Sequence, residues 1–409
     1  MQRFHYERPD MLVWGDEADF DALLLELTAL ADHGLDPGHY HLARLLERRN
    51  DRPARDALAT DAWFSAAAHM VDGKVDPVSV EPNWTAARRS ADLNAQLTHA
   101  LRNHRVAGSL TDLAPRQNEY RRLVARLREL RADHELSPEL ANDEKSRREL
   151  DQLRVNLERW RWLPDDLGRR HVRANIADFR LQAWENGKVV RTHKVIVGRR
   201  YRKTPVFSSQ IQYLVLNPWW ETPPSLARQD KLPLFQRDPG AVRRMGFQVL
   251  DRQGVQVNPQ QIEWKRVSPN RFPYRLRQAP GEQNALGQIK IMFPNEHNVY
   301  LHDTPTRNLF ERNERMFSSG CLRVQDPVGL ASWLLGKDNG WSRDRLDGVI
   351  ASKAERKVNL PARVPVHILY FTAVSDDDGG VRLLPDIYER DRAVLEGLLS
   401  PPNPVSLPV

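Results

Sequence analysis

The spacing of apolar residues changes near His171, and this change restricts the chain to folds with separate helical and β-rich parts. Before this point, leucines such as Leu23 and Leu27 recur at an interval that places them on one face of a helix. After it, apolar residues such as Val172 and Ala174 alternate with polar residues, which is the period of a half-buried strand. The sequence therefore predicts an α+β protein, with an N-terminal all-helical scaffold domain followed by a mixed, β-rich domain.

Local signals predict the individual elements. Helices are expected where apolar spacing, capping residues and terminal glycines agree, namely residues 23–30, a segment that opens at Asp36-Pro37, and residues 54–71, 85–105, 120–131 and 143–161. In the second part, Asn186-Gly187 between two β-rich runs is typical of a tight hairpin. Further strands are expected at residues 195–198 and 213–216, and residues 225–273 form a charged, proline-containing insertion.

Composition narrows the class of protein. The chain has 409 residues, enough for two or three domains with cores of their own, and no apolar stretch approaches the length of about 18 residues that a membrane span needs. The formal net charge of +7 and the sequence pI near 9.5 favour an anionic partner. The basic residues are spread along the chain without a nucleic-acid-binding motif, so no nucleic-acid partner is expected.

The N-terminal residues and the histidines give two further expectations. Met1 to Trp14 contain no apolar core, so they do not resemble a signal peptide, and membrane association is expected only through a segment absent from this chain. Three closely spaced histidines have no matching carboxylate pattern and suit a surface turn and helix start equally well; they are His33, His39 and His41. We therefore expect no metal and no cofactor.

The chain contains one cysteine, Cys321, which follows Ser318-Ser319-Gly320 and precedes Leu322-Arg323. A single thiol forms neither an internal disulfide nor a thiolate metal cluster. A structural cysteine usually lies in an apolar run, whereas this polar turn with a nearby cation favours a reactive thiol. The sequence therefore predicts that Cys321 is a nucleophile.

His302 is the candidate partner of Cys321. The apolar residues before it predict a short strand that ends at His302, so that Tyr300 and His302 share one face. A general base next to a thiol is the usual arrangement for nucleophilic catalysis, which favours a catalytic His302 over a structural one. Asp303 follows directly and points to the opposite face, so its backbone carbonyl is the expected partner of the imidazole.

The segment from Tyr300 to Val324 resembles the catalytic signature of L,D-transpeptidases with a YkuD-type domain, and more narrowly the large Gram-negative branch typified by YcbB. Other segments resemble the same branch in the same order: residues 156–164, 217–220, 223–225, 276–281 and 284–287. The resemblance covers about 250 residues well, from Leu150 to Arg390. It implies an enzyme that acts on peptidoglycan stem peptides and contains no cofactor.

The resemblance implies a two-step acyl transfer. Cys321 attacks an L-centre carbonyl of a donor stem and expels the terminal D-amino acid, and the thioester is then taken by the side-chain amine of a diaminopimelate on a neighbouring stem. His302 is the expected base. The backbone N–H groups of Gly320 and Cys321, with the Tyr300 hydroxyl, are the expected oxyanion donors.

The resemblance also implies a set of substrate-binding candidates, which are Arg323, Ser318, Ser319, Asp303 and Trp219. Arg323 either binds a stem carboxylate or braces the turn against a nearby acid. Ser318 is expected to fix the turn, and Ser319 stands where much of the wider family has histidine, which concentrates the base function on His302. Trp219 either lines the substrate cleft or packs in the fold.

By the same resemblance, residues 1–142 are a scaffold domain and residues 143–400 a catalytic domain, in which residues 225–273 form a capping subdomain, either a mobile lid or a surface excursion. Residues 120–142 leave no room for the peptidoglycan-binding module usual in this branch. Peptidoglycan stem peptides are the expected partner, the periplasm the expected location and carbapenems the expected inhibitors. Open alternatives are 3→3 or 1→3 links, hydrolysis by the same thiol, a non-catalytic wall-binding scaffold, and the oligomeric state.

Overall fold

The computed structural model describes residues 12–336, 339–376 and 378–401 and contains two compact units. Unit 1 comprises Met1–Leu167 and Tyr370–Val409, and unit 2 comprises Gly168–Leu369. This α+β architecture, with helices first and strands after them, is the predicted fold class. The sequence analysis predicted that Met1 to Trp14 are not a signal peptide, and residues 1–11 of that segment lie outside the described residues.

Unit 1 begins with eight α-helices in the part of the chain that the structure describes. They are α1 (Glu17–Ala29), α2 (Leu42–Glu47), α3 (Arg52–Asp72), α4 (Pro77–Val80), α5 (Leu93–Arg102), α6 (Asn118–Leu136), α7 (Pro138–Asn142) and α8 (Glu144–Arg161). The predicted helices at residues 54–71, 120–131 and 143–161 correspond to α3, α6 and α8. The Asp36-Pro37 start is a single 3-10 turn, Pro37–Tyr40, in which the Asp36 carboxylate accepts from the Gly38 N–H.

The helix predicted at residues 85–105 is wrong in its first part, because α5 begins at Leu93. The Asp92 carboxylate accepts a hydrogen bond from the Ala95 N–H, so Asp92 is the N-cap. Before it, Arg89 donates hydrogen bonds to four carbonyls of neighbouring segments, those of Met70, Val71, Leu113 and Ala114. These tertiary contacts hold the preceding residues in a non-helical conformation.

Unit 2 is built on a nine-stranded sheet. Its strands are β1 (Arg170–Asn175), β2 (Arg180–Glu185), β3 (Lys188–Gly198), β4 (Phe207–Leu216), β9 (Ile289–Met292), β10 (Leu301–His302), β11 (Met316–Ser318), β12 (Leu322–Val324) and β13 (Arg356–Leu369), in the order β11-β3-β12-β10-β9-β4-β13-β1-β2. The pairing closes on itself because β2 also pairs with β3. Asn186 and Gly187, both at positive φ, form the predicted hairpin between β2 and β3.

The chain between β4 and β9 forms a subdomain of unit 2, here called the cap (residues 220–278). It contains a four-stranded sheet of β5 (Trp220–Glu221), β6 (Phe247–Leu250), β7 (Gln256–Val257) and β8 (Arg275–Gln278), with α9 (Pro224–Leu226), a π-helical turn (Ala227–Lys231), α10 (Leu232–Arg237) and α11 (Ala241–Arg244). Its apolar core includes Trp220, Phe235 and Trp264. The predicted insertion limits, 225–273, omit strands β5 and β8 that complete this sheet.

Two helices complete unit 2, α12 (Pro327–Leu335) and α13 (Arg343–Ala351), and the chain then enters unit 1 through β14 (Ala373–Ser375), β15 (Val381–Leu383) and α14 (Asp391–Leu399). Thr372 of this last segment donates its N–H to the Asn156 side chain of α8 at 2.8 Å. The predicted limits of 1–142 and 143–400 therefore differ from this division, in which α8 and residues 370–400 are in unit 1. None of the described helices has the length and apolar character needed to span a bilayer.

Candidate active site

Strands β10 and β12 bring the predicted catalytic residues onto one face of the unit 2 sheet. They pair in parallel, with Leu301 opposite Leu322 and His302 opposite Arg323. The two leucines are fully buried in the core, so their sequence neighbours point to the other face. Four side chains meet there, and we call this set the reactive face: Tyr300, His302, Cys321 and Arg323.

The loop from Ser318 to Cys321 has a fixed conformation. The buried Ser318 hydroxyl donates to the Cys321 carbonyl at 2.5 Å and accepts from the Gly320 N–H at 3.1 Å. The Thr204 hydroxyl donates to the Gly320 carbonyl at 2.9 Å. Ser318 therefore fixes the turn, as its sequence position predicted.

Gly320 is needed for its backbone conformation. Its φ of +119° lies in a region that L side chains rarely adopt, and a Cβ built there would meet no protein atom within 4 Å. Two of the predicted oxyanion donors are hydrogen-bonded in this state, because the Gly320 N–H donates to the Ser318 hydroxyl and the Tyr300 hydroxyl donates to the Cys321 sulfur.

The Cys321 thiol is surrounded by groups that act on its ionisation. Its sulfur lies 3.6 Å from the Asn298 carbonyl, to which the S–H donates. Burial raises the pKa of Cys321, while hydrogen bonds from the Tyr300 N–H and hydroxyl and the charges of Lys290 and Arg323 lower it. The net shift is upward, so the resting thiol carries its proton at neutral pH and requires a base.

His302 is a buried, neutral imidazole, 5% exposed. Its Nδ1 lies 2.5 Å from the Asp303 carbonyl, the partner that the sequence predicted, and since a carbonyl only accepts, Nδ1 donates. Burial and the Arg323 charge lower the pKa of His302 to about 3. With its proton on Nδ1, the ring keeps a lone pair on Nε2 and can act as a base.

The imidazole is not hydrogen-bonded to the thiol in the described part of the chain, where the hydrogen-bond partners of Cys321 are Asn298 and Tyr300. Tyr300 contacts both residues. Its ring centroid is 5.6 Å from that of His302, and its hydroxyl donates to the Cys321 sulfur. Proton transfer from Cys321 to His302 therefore requires either a rotation of the Cys321 side chain or a bound group that relays the proton.

Two predicted substrate contacts, Asp303 and Trp219, have side chains that bind other residues of the fold. The Asp303 carboxylate is 2% exposed, lies 2.7 Å from Arg307 and accepts from the Gln288 N–H at 2.9 Å, so its side chain does not belong to the reactive face. The Trp219 ring stacks under the Arg277 guanidinium at 4.6 Å.

Lys290 of β9 is a site residue that the sequence did not reveal. It is the register partner of His302 on the side of β10 opposite β12, and its ammonium lies 4.0 Å from the centroid of the Tyr300 ring. Burial lowers the pKa of Lys290, and the neighbouring Cys321 and Glu355 oppose that shift. The alternation of Ile289, Lys290 and Ile291 indicates a strand, but only the strand register places this lysine beside the thiol.

Arg323 has no acidic partner among the described residues. Its Nε is buried without a hydrogen-bond acceptor. Burial and the charge of Arg199 lower the pKa of Arg323, and Cys321 opposes the shift. The interpretation in which Arg323 braces the turn against an acid therefore has no support from the described contacts.

The cap contacts the reactive face through apolar and charged residues. The Tyr300 side chain packs against the cap core. Arg202 joins the cap to the nucleophile loop, since its guanidinium binds both oxygens of Asp230 at 2.6 and 2.9 Å and donates to the Ser319 hydroxyl at 3.1 Å. Arg202 therefore links the cap to the loop that carries Cys321.

Comparisons with known proteins identify the families whose models the chain matches. Residues 169–366 match the YkuD family model, described as the L,D-transpeptidase catalytic domain, and residues 1–127 match the model of a Scaffold domain. A putative L,D-transpeptidase from Haemophilus influenzae is 36% identical over 295 residues, which is 72% of this chain and 57% of that protein. This chain therefore spans little more than half the length of that relative.

A solved structure is also similar in part. The crystal structure of L,D-transpeptidase 1 from Mycobacterium tuberculosis aligns with 49% of this chain and 61% of its own, at 14% identity and a TM-score of 0.19. A likeness of this size carries no argument about fold or mechanism.

Proposed function

The chain belongs to the proteins that carry a YkuD L,D-transpeptidase catalytic domain together with a Scaffold domain, and from this premise we propose that it cross-links peptidoglycan stem peptides through a thioester on Cys321. The observation that carries the proposal is the reactive face, where a thiol, a phenol and an imidazole held by a backbone carbonyl lie on adjacent strands. This set supplies the nucleophile, the base and a donor that acyl transfer needs.

In the first step, His302 takes the proton of Cys321 on Nε2. The sulfur then attacks the carbonyl carbon of an L-centre in the donor stem. The carbonyls of Asp303 and Leu286, which face the ring, favour the imidazolium that forms, against the opposing effect of burial. Lys290 and Arg323 stabilise the thiolate during the transfer.

The tetrahedral intermediate then collapses to a thioester. The carbonyl oxygen gains negative charge as the sulfur–carbon bond forms. The expected donors to it are the Cys321 N–H and the Tyr300 hydroxyl, which is released from the sulfur when that atom loses its charge. The bond to the terminal D-amino acid breaks, and its amine leaves with the proton held by His302. Loss of one oxyanion donor typically costs two to three orders of magnitude in rate, about 10²–10³.

In the second step, the side-chain amine of a diaminopimelate on another stem attacks the thioester, loses a proton to His302 and releases the thiol. The product is a 3→3 link by default, with attack at the first stem residue and a 1→3 link as the alternative. Water in place of the amine gives a carboxypeptidase or endopeptidase by the same route. We place this activity in the periplasm, where its polymeric substrate lies.

The test is product analysis by mass spectrometry. Purified disaccharide-tetrapeptide is incubated with the protein and with its Cys321→Ala variant. We expect cross-linked dimers with the protein and none with the variant, and fragmentation of the dimer identifies the linkage. Shortened monomers alone identify a hydrolase, and unchanged substrate in both samples supports a non-catalytic wall-binding scaffold instead.

A carbapenem offers an independent test of the nucleophile. Its strained lactam carbonyl is open to thiol attack, so we expect acylation of Cys321 and a mass increase equal to the mass of the drug. The Cys321→Ala variant serves as the control. An unmodified protein after prolonged exposure, in a sample that reacts with iodoacetamide at Cys321, contradicts the prediction.

A further inference from the structure

A threonine outside the catalytic signature binds the peptide group that precedes Cys321. The Thr204 hydroxyl donates to the Gly320 carbonyl at 2.9 Å and accepts from the Gly198 N–H at 2.9 Å. Thr204 lies in the loop between β3 and β4, 116 positions before Gly320, and its side chain is fully buried. The proposed mechanism assigns it no role.

The direction of the Thr204 hydroxyl is fixed by its two partners. The Gly198 N–H can only donate and the Gly320 carbonyl can only accept, so the hydroxyl proton points to Gly320. Gly198 allows this arrangement, because a Cβ built on it would overlap the Arg202 carbonyl oxygen and lie 2.8 Å from the Thr204 nitrogen. The chain therefore turns back tightly after β3 and delivers the hydroxyl to the nucleophile loop.

The Gly320 carbonyl and the Cys321 N–H belong to one peptide group. This peptide is trans, and the two bonds of a planar trans peptide point in opposite directions, so a partner that fixes the carbonyl also fixes the N–H. Gly320 offers little steric resistance to rotation of this plane, since it has no Cβ and no atom lies within 4 Å of the Cβ position. The hydrogen bond from Thr204 supplies the restraint.

The Cys321 N–H is the predicted oxyanion donor that remains available at rest. The Gly320 N–H is bound to Ser318, and the Tyr300 hydroxyl is bound to the sulfur. No acceptor for the Cys321 N–H occurs among the residues that the structure describes. A carbonyl that accepts a hydrogen bond polarises its peptide group, so the bond from Thr204 also makes the Cys321 N–H a stronger donor.

We propose that Thr204 is a positioning residue for acyl transfer, which directs the Cys321 N–H at the oxyanion of the tetrahedral intermediate. This role rests on the proposed function and adds to it a residue from outside the signature. The Thr204 hydroxyl acts where charge develops on the substrate oxygen, so it affects the transition state and leaves donor binding and thiol ionisation unchanged.

The test compares acylation with alkylation of the same thiol. Two donors acylate Cys321 through a tetrahedral oxyanion: the disaccharide-tetrapeptide, which expels its terminal D-amino acid, and p-nitrophenyl acetate, which expels p-nitrophenolate and has no stem peptide. Iodoacetamide alkylates the sulfur by displacing iodide at a saturated carbon, so no oxyanion forms. Intact-protein mass spectrometry follows all three reactions.

The full chain is used as wild type and as three variants. Thr204→Val removes the hydroxyl and keeps the shape of the side chain, and Thr204→Ser restores a hydroxyl. Thr222→Val is the matched control, because the Thr222 hydroxyl is also buried but has no hydrogen-bond partner among the described residues. Cys321→Ala gives the background for each reagent.

We expect Thr204→Val to lower the maximum rate of acylation by about 10-fold to 100-fold, less than the 10²–10³ typical for loss of a whole oxyanion donor, because the N–H remains but is no longer held. The half-saturating donor concentration and the alkylation rate stay at their wild-type values. Thr204→Ser and Thr222→Val retain the wild-type ratio of acylation to alkylation. Since this ratio is measured within one sample, partial loss of folded protein does not affect it.

Other outcomes contradict the proposed role in distinguishable ways. Equal acylation rates for Thr204→Val and wild type overturn it and leave the proposed function intact. A parallel fall of acylation and alkylation, or a Thr204→Ser variant as slow as Thr204→Val, shows that Thr204 is only structural. Acylation by the ester but not by the tetrapeptide overturns the proposed function alone, and the ester rates then decide the role of Thr204. Absence of acylation by both donors overturns the two together.

Discussion

At the scale of single residues, the chemistry of the site depends on the balance of charge around one thiol. Burial raises the pKa of Cys321, and the strongest charged group that opposes this effect is Lys290, which shares the reactive side of the sheet with His302. The sequence motif contains the nucleophile and the base, yet the cation that favours the thiolate comes from a different strand. We therefore regard Lys290 as part of the catalytic arrangement.

Replacing Lys290 by Gln removes this charge and is expected to raise the pKa of Cys321 further. At neutral pH the thiolate population falls, and alkylation by iodoacetamide slows by about threefold to tenfold, as expected for the loss of a charge interaction worth about 1 kcal/mol. The measurement is the pH dependence of the alkylation rate. Lys265→Gln, at an exposed position in the cap, provides the control, and identical profiles for Lys290→Gln and wild type contradict the assignment.

The lowered pKa of His302 predicts an unusual dependence of the acylation rate on pH below neutrality. An ordinary histidine base loses its activity below about pH 6.5. Because the pKa of His302 is about 3, the imidazole remains neutral throughout the mildly acidic range and keeps its lone pair. We expect kcat/KM for acylation to show no loss between pH 7 and pH 5 that is due to this group. A single ionisation near pH 6.5 in that profile, absent in a His302→Gln variant, is the contrary result.

The site was partly predictable at this scale for a physical reason. Cys321, His302 and Tyr300 could be found because residue type and strand alternation fix which neighbours share a face. Lys290 could not, since it reaches the site through a strand pairing that local sequence does not encode. The hydrogen bond of the Gly320 N–H to Ser318 could not be predicted either, because it depends on the detailed loop conformation.

At the scale of elements, the turn before β9 and the end of β10 are fitted to each other. Gly287 has a φ of +61°, and a Cβ built on it would lie 2.3 Å from an Asp303 carboxylate oxygen. That carboxylate in turn accepts the Gln288 N–H and binds Arg307. The adjacent Asp303 carbonyl holds His302, so this tight contact of two segments supports the base.

Gly287→Ala tests this fit. The added methyl group has to displace a buried, hydrogen-bonded carboxylate, so we expect a loss of about 2–4 kcal/mol in the free energy of unfolding, together with slower acylation. Gly254→Ala is the matched control, because Gly254 also has a positive φ, +84°, but nothing lies within 4 Å of its Cβ position. It should lose only about 1 kcal/mol. Urea unfolding checks both, and equal losses contradict the steric argument.

Element boundaries followed the sequence where capping residues and apolar spacing agreed. Asp143 precedes α8 and its carboxylate accepts the Ser146 N–H, so the predicted start at residue 143 lies at the observed cap. The start of α5 was missed because Asp92 lies within a run that otherwise suits a helix, and the contacts of Arg89 decide the conformation before it. Tertiary hydrogen bonds overrode local propensity there.

At the scale of the whole molecule, both units contain buried or half-buried histidines that remain neutral when folded. His33 of unit 1 is hydrogen-bonded to Tyr120 at 2.8 Å, and His69 is bonded to Tyr40 at 2.9 Å. Burial lowers the pKa of each to about 4, and that of His302 in unit 2 to about 3. In the unfolded chain each regains an ordinary pKa near 6.5.

This difference makes folding pH-dependent with a definite sign. Above pH 6.5 the histidines are neutral in both states, and their effect on stability is constant. Below it the unfolded chain takes up protons that the folded chain does not, so stability falls progressively between pH 6.5 and 4. For His33 the shift from 6.5 to about 4 corresponds to a loss of about 3 kcal/mol at most. We expect His33→Gln to reduce the slope of unfolding free energy against pH in this interval, while His99→Gln, at an exposed position, leaves it unchanged.

Urea titrations at half-unit steps of pH measure both slopes. A His33→Gln slope equal to that of the wild type shows that other groups control the acid stability.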